Sequence, residues 1–222
     1  FVKLYEIYGP QGWWPLINDD SRNASAEDVA LEDVYHPGDY TYPTNEQQRF
    51  EICTGAILTQ NTAWENVHRA LLRLKEKQAL DVYRMQRLSD EELKTAIRPS
   101  GYYNTKAQKL RAFIAFFLQL PPGDIPERKE LLDVWGVGPE TADSMLLYAY
   151  GQLHMVVDAY TRRFLCALEF INEGDSYEDV KRVCEGALPS DVAVYQEFHA
   201  LIVQHCKQYY SRKPYHDPVF GT

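Results

Sequence analysis

Two acidic residues flank one helix-like segment in the stretch VWGVGPETADSMLLYAYGQLHMVVDAY, residues 134 to 160. Glu140 follows a Gly-Val-Gly turn, and Asp158 follows an apolar triplet. An ionised carboxylate such as Asp158 can stabilise positive charge that develops on a substrate and can orient a water molecule. The alternative is that Asp158 is an acid at a helix N-terminus that interacts only with the helix dipole.

The Gly-Val-Gly turn consists of Gly136, Val137 and Gly138 and separates two segments of helical pattern. Glycine permits the positive φ of a tight turn and lets the backbone approach a ligand. Backbone N–H groups of such a turn, with the N-terminus of the next helix, can hold a phosphate without many lysines. A plain helical hairpin with a glycine turn is the other interpretation.

The elements that would position these residues are helices. No sustained alternation of apolar and polar residues predicts a β-strand. Ser89, with acids in the next turn, predicts one helix start, and the helical segment from Glu46 is predicted to break around Thr59 to Thr62. We therefore predict an all-α fold of roughly ten short helices, given the usual length of globular helices.

The composition of the 222 residues is that of a globular protein, with 45% hydrophobic and 13% aromatic residues. The net charge is -9, but residues 17–47 hold eight acids and one arginine, so the remainder is close to neutral. This weakens the case for nucleic-acid binding without excluding it. No apolar run has the length of a membrane span, and the first residues do not resemble a signal peptide.

The cysteines and histidines favour a protein without a metal. The cysteines lie far apart without a C-x-x-C motif, which predicts free thiols in a reducing, cytoplasmic compartment. The histidines show no metal-ligand spacing, and we expect His199 and His205 to be a core and a surface helix residue. The four cysteines are Cys53, Cys166, Cys184 and Cys206.

The motifs together resemble the helix-hairpin-helix DNA glycosylase superfamily, in its endonuclease III branch. The likeness rests on the GVG hairpin, the sequence VVD ending at Asp158, GAILTQNT and RPSGYYNTKA, and it spans about residues 46–210. It implies a two-lobed all-α fold with the active site in the cleft between the lobes. A central domain of residues 42–152 would carry the hairpin, and residues 1–41 with 153–222 would form the second domain.

The resemblance also implies a reaction. In that superfamily a lysine after the hairpin attacks the sugar and nicks the strand, but the matching residue here is Glu140. A carboxylate cannot form a Schiff base, so strand nicking should be missing. Many relatives hold an iron–sulfur cluster on four cysteines near the C-terminus, whereas this tail contains only Cys206, so we expect no cluster and no other cofactor.

Site residues follow from the same resemblance, which is greatest to the bacterial 3-methyladenine DNA glycosylase III type. Asp158 would be catalytic. Trp13, Trp14 and Phe50 would hold a flipped, cationic base, because aromatic faces attract cations; a purely core role is the alternative. Lys207 would line the pocket with a lowered pKa or a modified amine, unless it is an ordinary surface lysine.

DNA contacts are predicted next to this pocket. Gln60 would fill the gap left by the flipped base, unless it is a helix cap, and Tyr102 would be an intercalating wedge. The backbone of the hairpin would bind phosphates together with the side chains of Asn104 and Lys106. The alternative for Lys106 is an ordinary solvated lysine.

The predicted function is excision of alkylated purines, 3-methyladenine first, from damaged double-stranded DNA by a monomeric, bacterial or archaeal, nucleoid-associated enzyme that does not bind membranes. The first alternative is a glycosylase of the same fold that acts on uracil, mismatched thymine or oxidised bases. The second is a non-catalytic DNA- or protein-binding module that uses only the hairpin.

Overall fold

The computed structural model describes residues 1–18 and 30–221. Within these ranges the secondary structure is helical and contains no β-strand, which confirms the all-α prediction. Part of the acidic stretch 17–47 lies outside the described residues. The helices are α1 Val2–Tyr8, α2 Glu46–Leu58, α3 Trp64–Glu76, α4 Val82–Arg87, α5 Asp90–Ile97, α6 Tyr103–Phe117, α7 Arg128–Asp133, α8 Pro139–Ser144, α9 Ala159–Ala167, α10 Tyr177–Ala187 and α11 Val192–Tyr209, with 3-10 turns at Glu32–Val34 and Arg98–Ser100.

The central lobe is built around α2, which is buried along nearly its whole length. Around it pack α6, α8 and the π-helical segment Met145–Ala149, while α3 packs on α5. The predicted helix start at Ser89 is present as a capping box with Glu92.

The second lobe packs α1 and α9 against α11. The chain after α11 folds back on this lobe, where buried Asp217 accepts hydrogen bonds from Tyr210 and His205, at 2.7 and 2.8 Å. The π-helical segment contacts both α2 and α11, so it joins the lobes. None of the described helices has the length and apolar character to cross a membrane.

Two buried carboxylates fix the N-terminal segment 11–18 between the lobes. Glu51 of α2 accepts hydrogen bonds from the backbone N–H groups of Ile17 and Asn18, at 2.5 and 2.9 Å. Glu197 of α11 accepts from the N–H of Gln11 at 2.8 Å. Gly12 has φ +68, and a Cβ there would lie 2.3 Å from a backbone nitrogen, so this position requires glycine.

Candidate active site

A cavity of about 320 Å³ lies between the two lobes. Segment 11–18, the loop after α2, the first turn of α8, the start of α9 and one face of α11 all contribute to its wall. The main lining residues are Trp13, Trp14, Asn61, Trp64, Glu65, Glu140, Ser144, Asp158, Tyr160, His199 and Lys207. The cavity thus combines aromatic faces with three carboxyl groups, and the negative charge of Asp158 acts on Glu140.

Asp158 both caps α9 and lines the cavity. Its Oδ1 accepts a hydrogen bond from the backbone N–H of Thr161 at 2.7 Å, which satisfies one of the free donors at the helix start. Burial alone would raise the pKa of this carboxyl group, but His199 and the hydrogen bond from the Thr161 N–H hold the pKa of Asp158 below its ordinary range. Asp158 is therefore an ionised carboxylate at neutral pH, although its side chain is only 15% exposed.

His199 lies on α11 against Asp158. Its Nε2 is 3.5 Å from Oδ2 of Asp158, which is longer than a good hydrogen bond, and meets no hydrogen-bonding partner in the described chain. Its Nδ1 is 2.7 Å from the hydroxyl of Tyr148, which can donate either to Nδ1 or to the Gln196 carbonyl oxygen.

Glu140 lies in the first turn of α8, directly after the hairpin. Glu140 is exposed to solvent and lines the cavity. Desolvation raises the pKa of Glu140 to about 6, the negative charge of Asp158 adds to this effect, and His199 opposes it. The cavity thus holds one carboxylate with a lowered pKa and one with a raised pKa.

Aromatic rings form one wall of the cavity. Trp14 is 5% exposed and packs edge-on against Trp64 and Tyr148, with ring centroids 5.5 and 5.2 Å apart. Trp13 packs edge-on against the imidazole of His199 at 5.4 Å. Trp64, at the start of α3, was not predicted as a site residue, and it lines the cavity next to the two expected tryptophans.

The hairpin is fastened to the loop that follows α2. The side-chain amide of Gln60 donates to the Gly136 carbonyl oxygen at 3.1 Å and to the Thr141 hydroxyl at 2.9 Å. Lys109 of α6 donates to the amide oxygen of Gln60. Gly136 has φ +88, the left-handed conformation that the glycine turn predicted. One polar cluster thus couples the hairpin to the cavity rim.

A second polar cluster supports the segment that leads into Asp158. Asp143 of α8 is fully buried and pairs with Arg128 and Lys181, at 2.7 and 2.9 Å. The Tyr177 hydroxyl donates to Asp143 at 2.9 Å and accepts the backbone N–H of Val157 at 3.3 Å. Burial opposes ionisation of Asp143, but hydrogen bonds from His154, Arg128 and Lys181 hold its pKa well below its ordinary range.

The fold and site geometry agree with known proteins. Residues 54–190 match the family model described as HhH-GPD superfamily base excision DNA repair protein, which covers more than half of the chain. The chain belongs to this superfamily.

Individual relatives of this HhH-GPD protein agree with that assignment. A Methanocaldococcus jannaschii protein provisionally named a DNA repair glycosylase is 38% identical over 95% of this chain and 89% of its own. The crystal structure of H. pylori 3-methyladenine DNA glycosylase bound to 1,N6-ethenoadenine superimposes with a TM-score of 0.66 and 30% identity, over 72% of this chain and 85% of that one. A non-covalent endonuclease III–DNA complex superimposes with a TM-score of 0.64 and 27% sequence identity, over 72% of this chain and 76% of that one. The predicted resemblance and two-lobed fold are confirmed.

Two predicted site residues of this HhH-GPD protein lie elsewhere. Phe50 is 1% exposed and packs against Phe113 and Phe117 in the core of the central lobe, so it does not line the cavity. Lys106 is 2% exposed, and its ammonium donates to the carbonyl oxygens of Leu58 and Ser100, both at 2.7 Å. These positions correct the expected roles: Phe50 is a core residue, and Lys106 joins α2 to the Arg98–Ser100 turn instead of reaching phosphate.

Two of the other predicted DNA contacts, Gln60 and Tyr102, line a groove next to the cavity. Tyr102 is 74% exposed and lines a small groove with Asn61, which also lines the cavity. Asn104 is exposed in the first turn of α6. Gln60 already has hydrogen bonds at both ends of its amide, whereas exposed Asn61, with φ +54, lies where the groove and the cavity meet. Asn61 is thus a site candidate that the sequence did not identify.

Lys207 and the histidines complete the comparison with the sequence predictions. Lys207 is an exposed residue of α11 that also lines the cavity. It is therefore a surface lysine and a cavity residue at the same time. His205, expected at the surface, is fully buried and paired with Asp217, because the C-terminal chain covers it. Within residues 1–18 and 30–221, no cluster of His, Cys, Asp and Glu is arranged to hold a metal ion.

Proposed function

We propose that this HhH-GPD protein is a monofunctional DNA glycosylase that removes alkylated purines, 3-methyladenine first, from double-stranded DNA. One observation carries the proposal: the ionised carboxylate of Asp158 lies in a cavity that has tryptophan rings on one wall. A carboxylate with a lowered pKa serves a reaction that builds positive charge. Aromatic rings serve the binding of an electron-poor base.

In the proposed reaction the bond between C1′ of the deoxyribose and the base breaks, and its electron pair leaves with the base. The sugar then carries positive charge, which Asp158 stabilises through its Oδ2 while its Oδ1 stays bound to the N–H of Thr161. A water molecule adds to C1′ and releases one proton to solvent, which leaves a hydroxyl group on the abasic sugar. The helix cap fixes the carboxylate in advance, so little reorganisation accompanies the reaction.

A methylated adenine base that already carries positive charge is a good leaving group and mainly has to be held outside the duplex. Trp13, Trp14 and Trp64 provide the aromatic faces, each well-placed ring contributing about 0.5–2 kcal/mol to the binding of a cation. Binding of 1,N6-ethenoadenine by the H. pylori relative supports a purine-sized ligand.

The proposed DNA face extends from the cavity mouth over the hairpin. The backbone of Gly136 to Gly138 would bind phosphate, Asn104 would assist it, and Tyr102 would insert between base pairs. We assign the gap left by the flipped base to Asn61, because Gln60 is engaged with the hairpin. The proposed domains remain residues 42–152 and the two termini, with one monomer acting on one lesion.

The proposal that this protein does not nick the strand depends on which side-chain amines line the cavity and could attack the sugar. Glu140 follows the hairpin where the superfamily's lysine is expected, and a carboxylate cannot form a Schiff base. Among the cavity-lining residues that the structure describes, Lys207 alone carries an amine. A nicking activity would therefore have to use Lys207.

The test uses duplex DNA that contains methylated purines, uracil or thymine glycol, with strand breaks scored before and after alkali. We expect alkali-dependent breaks at 3-methyladenine, lost in Asp158→Asn with DNA binding retained. Breaks without alkali that disappear in Lys207→Met would contradict monofunctional action. Excision of uracil or thymine glycol alone would replace the substrate class, and binding without excision of any lesion would favour a non-catalytic module.

A further inference from the structure

Glu140 has no part in the reaction described so far, yet it lines the same cavity as Asp158. Glu140 lies in the first turn of α8, directly after the hairpin. The backbone of this hairpin is the part proposed to bind DNA. None of the ion pairs found among the described residues involves its carboxyl group. A carboxyl group placed in a substrate cavity without a cationic partner is free to exchange its proton with a ligand.

The ionisable groups that share the cavity come from every surrounding element. Glu65 lies at the start of α3, Asp158 and Tyr160 at the start of α9, and His199 and Lys207 on α11. The anionic neighbour Asp158 favours the protonated form of Glu140, while His199 favours the ionised form. Two ionised carboxylates in one cavity repel each other. Asp158 is the one that ionises more readily, because Thr161 and His199 stabilise its charged form.

We propose that Glu140 is the general acid of this site, and that the protein consequently excises uncharged purines as well as cationic ones. This inference rests on the proposed glycosylase function and adds a residue and a substrate class to it. Environments that separate the acidities of two neighbouring carboxyl groups are the usual basis of an acid and a charge-stabilising pair.

The step balances without any further reactant. The bond between C1′ and the base breaks, its electron pair goes to the base, and the proton of Glu140 passes to a ring nitrogen of the base. The base therefore leaves as a neutral molecule. Water adds to C1′, and the proton that it releases restores the acid form of Glu140. A base that is already cationic needs no such proton, so the role of Glu140 depends on the substrate.

The pH dependence follows from the direction of the two pKa shifts. The acid form of Glu140 dominates below about pH 6, the value to which burial and Asp158 raise its pKa. Asp158 remains ionised there because its pKa is lowered. Release of an uncharged purine should therefore fall about tenfold per pH unit above pH 6, whereas release of a cationic base should not follow this titration.

The experiment compares two substrate classes in the full chain. One duplex is methylated with dimethyl sulfate and carries cationic 3-methyladenine and 7-methylguanine; the others carry hypoxanthine or 1,N6-ethenoadenine, which are uncharged. Single-turnover release is measured between pH 5 and 8 for the wild-type protein and for Glu140→Gln. The matched control is Glu91→Gln, an exposed glutamate that also lies in the first turn of a helix, outside the cavity.

We expect Glu140→Gln to lose about 100-fold or more on an uncharged purine and to lose the alkaline fall in its pH profile. Its release of cationic bases should stay within about threefold of wild type, which also shows that the variant is folded. An equal loss on both classes, or no release of uncharged purines by the wild type beside normal release of cationic bases, would overturn this inference alone. If the wild type released neither class at any pH, the proposed function itself would fail.

Discussion

Nε2 of His199 lies 3.5 Å from Oδ2 of Asp158, while Oδ1 of the same carboxylate accepts the N–H of Thr161 at 2.7 Å. The two oxygens therefore have separate surroundings. One fixes the start of α9, and the other faces a histidine that belongs to α11. The sequence left open whether this acid is a helix cap or a cavity group, and the structure gives it both positions.

Replacement of His199 should change the pH at which excision begins to fail. His199→Phe keeps a ring against Trp13 but removes the group that stabilises the ionised form of Asp158, so the pKa of Asp158 should rise. In the proposed reaction, excision requires the ionised carboxylate and is lost as pH falls through this pKa, so the acidic limb of the rate profile should move to higher pH. Single-turnover rates from pH 4 to 8 measure it, with exposed His216→Phe as control. A lower rate with an unmoved limb would indicate a packing role only.

The buried position of Lys106 predicts a loss of stability instead of a loss of DNA affinity. Lys106→Met would leave the carbonyl oxygens of Leu58 and Ser100 without this donor, at a cost of about 1–3 kcal/mol in the free energy of unfolding for each buried group left unsatisfied. Urea denaturation measures the change, and Lys129→Met, at an exposed lysine of α7, is the control. Unchanged stability with weaker, less salt-dependent DNA binding would restore the phosphate role.

Asp143 should contribute stability that depends on pH. Asp143→Asn removes the charge that compensates buried Lys181, and loss of one partner of a buried pair costs about 3–5 kcal/mol. The pKa of Asp143 is lowered in the folded protein, so its contribution is complete above the ordinary value for aspartate, about 4, and is lost as pH falls below it. The difference in unfolding free energy between the two proteins should therefore narrow below pH 4 in urea titrations. A constant difference would contradict this account.

Trp64 should favour cationic bases over uncharged ones. Trp64→Leu removes an aromatic face from the cavity wall and should weaken binding of DNA that contains 3-methyladenine by about 0.5–2 kcal/mol, which is roughly 2- to 30-fold. Trp64→Phe keeps an aromatic ring and should lose less. Titration of single-turnover rates with enzyme concentration measures the affinity. Equal losses in the two variants would mean that the shape of Trp64, and not its aromatic face, matters.

Local patterns predicted the parts of the site that depend on a single turn of chain. The glycine hairpin appears with Gly136 in the left-handed conformation, and the acid after the apolar triplet appears as the cap of α9. Both features are set by residues that are neighbours in sequence. The break after α2 was predicted for the same reason, and α2 ends at Leu58.

Residues whose position depends on packing were predicted less well. Phe50 and Lys106 lie on helices that are buried on several sides, so helical spacing does not show which neighbour each side chain meets. Trp64 packs in the cavity wall against Trp14, which lies fifty residues earlier in the chain. The residues next to Trp64 in sequence therefore do not indicate this contact. His205 is buried by chain that follows α11, and nothing near it in sequence indicates that cover.

The two glutamates that hold segment 11–18 also set an order of events during synthesis. Glu51 is made soon after the tryptophans, but Glu197 follows them by more than 180 residues. Contacts so far apart in the chain form late in folding. A growing chain on the ribosome can therefore assemble its central helices and hairpin well before its tryptophan wall is closed. The surface proposed to face DNA can therefore form first, and the cavity between the lobes closes only after α11 has been made.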